Sequence, residues 1–204
     1  MNNSIINILN RIENSNSPNE ILGTEIIKNN INSLLYYAIE NEYYRTISII
    51  LEKTLTFNLQ NIDILIKKIV ELSKDFNYKL INYLYFLKIM IDKGIHINTK
   101  AFYDIKNYLE KQDYYGNTIM HMLISNEYIF LLKFLIIKFK PNMNIQNMYG
   151  DTILHIISIL YYRNNDKIEY LDIINFLLKN GSSNDIKNMS LMLPENYINL
   201  NLIY

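Results

Sequence analysis

The sequence contains no cysteine and no tryptophan, and its 204 residues include only five glycines and three prolines. The lack of cysteine excludes disulfide bridges, a thiol nucleophile and thiolate ligands for zinc. Basic and acidic side chains number 20 each, so the formal net charge is zero. A neutral chain lacks the excess positive charge that attracts nucleic acid, and we expect no nucleic-acid partner.

A secretory signal and a membrane-spanning run are also missing. The first twenty residues lack the basic segment and the apolar run of a signal peptide. The most apolar segment, residues 128–139, is interrupted by Lys133 and is far shorter than the ~20 residues of a spanning helix. We therefore predict a buried helix at 128–139, no membrane partner, and a location in the cytoplasm or nucleus.

The chain is nevertheless rich enough in apolar residues to fold. Half of its residues are hydrophobic and 13% are aromatic, which favours a packed core over disorder. Its length fits one domain or a short repeat array. Asn, Ile, Lys and Tyr are plentiful, and AT-rich codons favour all four. This bias indicates a source with an AT-rich genome, such as a large DNA virus or a parasite.

Two segments of the chain repeat each other. Residues 115–124 are YGNTIMHMLI, and residues 149–158 are YGDTILHIIS. A glycine, a threonine and a histidine each recur 34 residues later, in the pairs Gly116 and Gly150, Thr118 and Thr152, and His121 and His155. A period of ~33 residues with a Thr-Pro-Leu-His motif is typical of ankyrin repeats.

The sequence therefore resembles the ankyrin repeat family. The resemblance implies an all-α fold, a solenoid of about four to five stacked helix–turn–helix repeats with capping elements. An N-terminal cap helix and loop are expected at 1–22, followed by the repeat array at 23–204. Within the array the copies are expected at about 33–58, 61–98, 113–144 and 147–184, with a terminal cap at 188–204.

The outer copies depart from the motif. In the first copy, Ser33 stands at the threonine position and Tyr36 at the histidine position. In the terminal cap, Pro194 stands at the motif's proline position and Asn196 at the histidine position. Two insertions, at 99–111 and 161–172, break the period, and the sequence leaves their roles open.

The recurring motif residues are expected to be structural. Thr118 and Thr152 are predicted to begin helices, because a hydroxyl can bond a free N–H of the first turn. The glycines are predicted to form turns, where a positive φ costs them little; they are Gly94, Gly116, Gly150 and Gly181. The resemblance implies that His121 and His155 are neutral and tie each turn to its helix. A metal site or a catalytic base is the alternative for these histidines, but no ligand cluster, phosphate loop or nucleophile motif accompanies them, and we expect no cofactor.

The resemblance places partner-binding residues at the tips of the turns between repeats. The candidates there are Tyr114, Tyr115, Met148 and Tyr149. The alternative is that these side chains pack against neighbouring turns. The second insertion adds Tyr161, Tyr162 and Arg163 as further candidates, in a loop on the binding face. The alternative for this insertion is a longer first helix and a solvated loop.

The resemblance implies a non-enzymatic, monomeric protein-interaction module with a protein partner. For a viral or parasite source, we hypothesise a host-interference factor that imitates IkappaB-type inhibitors. The alternative is a substrate adaptor for a host ubiquitin ligase, because some poxviral ankyrin proteins end in an F-box-like segment. Only ten residues follow Pro194, fewer than a ligase-docking domain needs. An enzyme is the third hypothesis, and no catalytic constellation in the sequence supports it.

Overall fold

The structure is a computed structural model that describes residues 3–22, 25–53, 59–72, 79–97, 99–164 and 168–199. Within these ranges the chain forms α-helices joined by turns, so the predicted all-α class is confirmed. Contacts divide the chain into two compact units, Met1–Ala101 and Phe102–Tyr204. Parts of the predicted copies lie outside the described residues, namely 54–58, 73–78, 98 and 200–204, together with 165–167 of the second insertion.

The first unit consists of two N-terminal helices and two helix pairs that stack on each other. Its helices are α1 (Asn3–Asn14), α2 (Pro18–Leu22), α3 (Glu25–Glu40), α4 (Tyr44–Lys53), α5 (Leu59–Leu72) and α6 (Lys79–Asp92). Helix α3 packs on α4 and α5 packs on α6, while α3 also contacts α5 and α4 contacts α6. The apolar residues that recur every three or four positions, such as Ile47, Ile50 and Leu51, are buried between the helices.

The motif position of Ser33 does not mark the start of a helix. Helix α3 begins at Glu25, so Ser33 lies inside the helix and does not cap it. Residues 25–32 contain no glycine or proline that would interrupt a helix, and the glycine turn that precedes Thr118 has no counterpart before Ser33. At the N-terminus, Pro18 begins the short helix α2 where a loop was expected, since proline is well suited to a first helical position.

The second unit contains the two strong copies of the motif. Its helices are α7 (Thr99–Leu109), which spans the boundary between the units, α8 (Ile119–Ser125), α9 (Ile129–Phe139), α10 (Ile153–Arg163), α11 (Ile168–Lys179) and α12 (Pro194–Asn199). Helix α8 packs on α9 and α10 packs on α11, while α10 lies between α8 and α12. Helices α8, α10 and α12 therefore form one layer, with α10 at its centre.

The same tight turn joins the two helices of a pair in both units. The tripeptide Asn-Glu-Tyr occurs at 41–43 and 126–128. Glu42 and Glu127 both have a positive φ, of 63° and 59°. The asparagine amides bond back to a carbonyl four residues earlier, and the tyrosine N–H bonds to the carbonyl five residues earlier. This shared turn shows that α3 and α4 are the counterpart of α8 and α9.

The second helix of three pairs ends in a left-handed residue. Gly94 follows α6 with a φ of 87°, and Gly181 follows α11 with a φ of 104°. After α9 the same role falls to Lys140, whose φ is 47° and whose N–H donates to the Ile136 carbonyl. Glycine at this position avoids the strain that a Cβ brings, so Lys140 terminates its helix at a cost.

The prediction that residues 128–139 form a buried helix is correct for only one face of α9. Leu132, Leu135 and Phe139 are fully buried, whereas Phe130 is 73% exposed and Ile137 is 62% exposed. The segment is apolar on both faces, so its sequence does not show which face meets the core. In the part of the chain that the structure describes, no helix is long and apolar enough to cross a membrane.

Both insertions are partly helical. Helix α7 occupies most of 99–111, and Phe102 packs its ring 5.3 Å from that of Phe139. In the second insertion, Tyr161, Tyr162 and Arg163 continue α10, which has eleven residues where α8 has seven. The longer first helix, one of the two interpretations left open for this insertion, is therefore what the structure shows.

Candidate functional site

Three turns of the second unit have the same construction, and we call them fingers. They are finger 1 (residues 112–117), finger 2 (146–151) and finger 3 (187–192). The second residue of each finger is Asp113, Asn147 or Asn188. Its side-chain oxygen accepts hydrogen bonds from the backbone N–H groups two and four positions later, over 2.7–3.1 Å. A short polar side chain of this kind fixes a tight turn.

A histidine joins the first two fingers to the helices that follow them. The backbone N–H of Thr118 donates to Nδ1 of His121 over 3.1 Å, and Thr152 and His155 repeat this bond at the same distance. Each threonine directly precedes its helix, and each pair forms a reciprocal capping box. The turn and the first helical turn are thereby locked together.

The other ring nitrogen reaches the next finger. Nε2 of His121 lies 3.1 Å from the carbonyl oxygen of Asp151, and Nε2 of His155 lies 3.2 Å from that of Met192. A carbonyl only accepts and a backbone N–H only donates, so Nε2 must carry the proton and Nδ1 the lone pair. The bonding pattern thus requires one neutral tautomer at both positions.

Burial also favours the neutral form of both imidazoles. His121 is 2% exposed and His155 is fully buried. Burial lowers the pKa of both imidazoles below the usual histidine value, against opposing bonds to the backbone of Asp151 and Met192 and the nearby Asp151 carboxylate. Both rings are therefore neutral structural groups at neutral pH.

Asn196 replaces the histidine in the terminal copy. Its Oδ1 accepts a hydrogen bond from the Leu193 N–H over 2.6 Å, as Nδ1 of His121 does from Thr118. Pro194 begins α12, and the carboxamide caps that helix from within its first turn. The asparagine preserves the bond inside the turn.

Direct hydrogen bonds stack the fingers on one another. The N–H of Met148 donates to the Tyr115 carbonyl over 2.9 Å, and the N–H of Met189 donates to the Tyr149 carbonyl over 3.0 Å. The side-chain amide of Gln112 bonds Gly116 in its own finger and Gln146 in the next one. Gln146 makes the matching pair of bonds to Gly150 and Lys187. The fingers form a continuous ladder.

The ladder leaves no room for a side chain at two glycines. A Cβ on Gly116 would lie 2.9 Å from the Met148 nitrogen, and a Cβ on Gly150 would lie 2.6 Å from the Met189 nitrogen. Both glycines also have a positive φ, of 74° and 76°. Gly94 and Gly181 differ, because a Cβ there would meet nothing within 4 Å. Glycine is favoured at these two positions only because the backbone has a positive φ.

The finger tips present apolar side chains to solvent. Tyr114 is 93% exposed, and Tyr115, Met148 and Tyr149 are exposed as well. Finger 3 adds two exposed residues that sequence reasoning missed, Met189 and Leu191. The register that places Asn188 on Asn147 also places Met189 on Met148, and this could have identified Met189. We call these six side chains the finger ridge: Tyr114, Tyr115, Met148, Tyr149, Met189 and Leu191.

A groove lies beside finger 2, along α10. It has a volume of about 370 Å³ and is lined by Ser125, Asp151, Ile156, Ile159, Leu160 and Arg163. The walls are mainly aliphatic, and Arg163 supplies a positive charge at the end of α10. Tyr162 next to it is exposed, whereas Tyr161 is half-buried. The residues of the second insertion thus extend the helix that forms the groove.

Nothing in the described ranges resembles a metal centre, since no three histidine, aspartate or glutamate side chains come together there. His121 and His155 are each engaged through both ring nitrogens. His96 is exposed in the turn after α6. The arrangement can hold a surface rigid, and it supplies no free base next to a nucleophile.

Alanine at Gly150 is expected to destabilise the protein more than alanine at Gly181. Both changes strain a positive φ, but only the first drives a Cβ into the backbone of finger 3. We expect the Gly150→Ala loss in unfolding free energy, measured by urea denaturation, to exceed the Gly181→Ala loss by about 1–3 kcal/mol. Equal losses would mean that finger 3 moves away at little cost.

We expect His121→Asn to destabilise the protein less than His121→Leu does. Asparagine can accept the Thr118 N–H as Asn196 accepts that of Leu193, and it loses only the bond to Asp151. We expect His121→Asn to cost about 1–2 kcal/mol. His121→Leu leaves a buried N–H unbonded and should cost about 1–3 kcal/mol more. A leucine variant as stable as the asparagine variant would contradict the capping role.

Stability should fall as pH decreases below neutrality. Unfolded histidine has a pKa of about 6.5, and the folded pKa of both rings is lower, so the unfolded chain binds protons first. The contribution of the two rings is complete above about pH 6.5 and declines as the pH falls toward and through the lower folded pKa values. Between pH 7.5 and 5.5, the unfolding free energy should decrease less in the His121→Asn/His155→Asn double variant. Identical decreases would exclude the two rings as the cause.

No curated protein matches the sequence. Among solved structures, the chain is similar to the ankyrin repeat protein EF0377, with 20% identity, a TM-score of 0.44, and coverage of 82% of this chain and 90% of that one. It is also similar to an ankyrin repeat domain, ABAYE2397, from Acinetobacter baumannii AYE, with 17% identity, a TM-score of 0.45, and coverage of 94% and 89%.

The family model named Ankyrin repeat matches residues 149–189, which run from the tip of finger 2 through α10 and α11 to finger 3. This segment contains Gly150, Thr152 and His155, the residues that carried the resemblance in the sequence. The predicted ankyrin repeat is therefore confirmed at residues 149–189, where the chain matches the family model.

Proposed function

We propose that this protein is a non-enzymatic binding module that holds a protein partner against the finger ridge and the neighbouring groove. Ankyrin repeats are protein–protein interaction modules. The observation that carries the proposal is the exposure of six large apolar side chains on three turns that hydrogen bonds hold together. Apolar residues on a rigid, exposed surface are characteristic of interaction sites.

The composition of the ridge suits a protein partner. It combines three tyrosines with two methionines and a leucine, and none of the six is charged. Tyrosine and methionine are enriched at protein interfaces, because they bury much apolar area and lose little polar solvation. The ladder fixes the backbone beneath these side chains, so binding need not order it, and this lowers the entropic cost of association.

The groove next to the ridge adds a directional contact. Ile156, Ile159 and Leu160 can accept an apolar side chain of the partner, and Arg163 can pair with a carboxylate beyond it. A partner segment that crosses finger 2 and enters the groove would contact Tyr149 and Arg163 together. The exposed ridge supports the predicted binding role of Tyr114, Tyr115, Met148 and Tyr149. The groove supports the same prediction for Arg163, and the exposure of Tyr162 supports it for that residue.

The biological setting follows from the composition and not from the geometry. For an AT-rich viral or parasite source, we propose host interference of the IkappaB type, in the host cytoplasm or nucleus. The ubiquitin-ligase adaptor is the less favoured alternative, because Leu193, Pro194 and Asn196 form the cap of α12 and that helix packs on α10. In the described residues this segment is thus part of the repeat array.

Site-specific photocrosslinking can test the surface. A benzophenone amino acid at Tyr149 of the full-length protein should crosslink to a discrete partner in an extract of the source or host cell. Tyr85, an exposed tyrosine of the first unit, is the matched control position. We expect the partner band at position 149 and none at position 85.

Alanine at Tyr114, Tyr149 or Arg163 should then weaken capture of the partner identified by crosslinking, by about tenfold or more if any of them is a hot spot. Tyr85→Ala should leave capture unchanged. These side chains are exposed, so circular dichroism should show intact folding. Equal crosslinking at both positions would contradict the proposed surface. So would unchanged capture of the partner by all three alanine variants.

A further inference from the structure

Helix α9 has a second apolar face that points away from the core. At ~100° per residue, Lys133, Ile137, Phe130, Phe134 and Lys138 occupy one continuous arc of the helix. The opposite arc contains the buried residues Leu131, Leu132, Leu135, Ile136 and Phe139. Phe130 and Ile137 remain mostly exposed, at 73% and 62%, and Phe134 between them is half-buried. We call the outward arc the α9 face.

The charges on the α9 face have one sign. Lys133 borders the apolar stripe on one side and Lys138 borders it on the other, while Lys140 follows the helix. Helix α9 contains no acidic residue. In the described residues, none of these three lysines forms an ion pair with a carboxylate. Their charges are thus available to a partner.

Neighbouring elements limit what can lie on this face. The ammonium of Lys133 sits 5.3 Å from the ring centroid of Phe176, which places α11 along that edge. Helix α11 has exposed carboxylates at Glu169 and Asp172 in its first half and exposed Lys179 in its last turn. Glu127 is exposed just before α9 begins. Positive charge therefore prevails at the C-terminal half of the face only.

We propose that the α9 face docks an amphipathic helix of a protein partner whose apolar stripe is bordered by aspartate or glutamate. Apolar residues at spacings of four and three, as in Phe130, Phe134 and Ile137, form a ridge that fits the groove of another helix. Flanking lysines select a partner with acidic flanks, as the charged positions beside a coiled-coil seam do. The site is separate from the finger ridge and does not depend on the proposed function.

The same charges disfavour the other occupants. A second copy of the chain, docked through this face, would bring Lys133 and Lys138 against the same lysines. An anionic membrane is broad and would also meet Glu127, Glu169 and Asp172, which it repels. A single helix is about 10 Å wide and can lie along α9 without covering those carboxylates. The face is small, so the complex belongs to the weak, transient class.

Two designed peptides can test the proposal with the full-length protein. Both are fluorescein-labelled 18-residue helices with the same leucine stripe, and one has glutamate at the flanking positions where the other has lysine. By fluorescence anisotropy, we expect the glutamate peptide to bind about tenfold or more tightly than the lysine peptide. Ile137→Ser should weaken its binding several-fold, and Lys138→Glu should remove or reverse the preference. Tyr114→Ser, a change in the finger ridge, should leave it unchanged.

Several results would overturn the proposal. Equal affinity for the two peptides would show that the lysines do not select the partner. Full binding by Ile137→Ser would place the peptide elsewhere on the protein. In a separate arm, the protein is floated with vesicles of phosphatidylcholine and phosphatidylserine. Flotation that is lost in Ile137→Ser would assign the face to a lipid surface. Both substituted residues are exposed, and circular dichroism verifies that each variant is folded.

Discussion

The second unit depends on a neutral imidazole that bonds in two directions. Nδ1 of His121 accepts the N–H of Thr118, and Nε2 donates to a carbonyl of the next finger. A protonated ring could not accept the first bond, and the other tautomer could make neither bond. Burial favours the neutral form on its own account. One uncharged ring thus sets both the start of a helix and its spacing from the next repeat.

The stacked fingers depend on this spacing. Because the histidines hold successive fingers close together, the backbone of one finger comes within 3 Å of the position that a Cβ would occupy on the preceding one. Only glycine fits at Gly116 and Gly150, and the glutamine amides then bridge the narrow gap. The apolar side chains at the finger tips are exposed. The exposed finger ridge is in this sense a consequence of the internal hydrogen bonds.

Some of this construction could be predicted from the sequence, and some could not. The recurrence of Thr118 and His121 at Thr152 and His155 fixed the register, and α8 and α10 begin directly after the two threonines. The register also extended correctly to Asn196. It failed to give the start of α3, because Ser33 matches the motif without the turn that would make it a cap. Burial on α9 was harder to predict, since apolar residues lie on both faces of the helix.

The polar residues of the ladder were overlooked for a different reason. Gln112, Gln146 and the side chains that fix the fingers are common surface types, and only their positions relative to the next repeat give them a role. Such a role appears when two copies are superposed in space, not when one copy is compared with a motif. Asparagine is abundant in the chain, so Asn147 and Asn188 do not stand out in the sequence. Their side-chain oxygens nevertheless fix two of the three fingers.

Finger 3 shows how one substitution can both end the stacking and enlarge the exposed surface. Leu191 occupies the position of Gly116 and Gly150, and its backbone keeps a positive φ of 60°, which is uncommon for leucine. Another finger stacked there in the same geometry would bring its backbone against the leucine side chain, as the distances at the two glycines show. The strain of a left-handed leucine is about 1 kcal/mol. The side chain of Leu191 is exposed, as is that of Met189, and it adds to the finger ridge. The residue that prevents further stacking is therefore also part of the surface that we propose meets the partner.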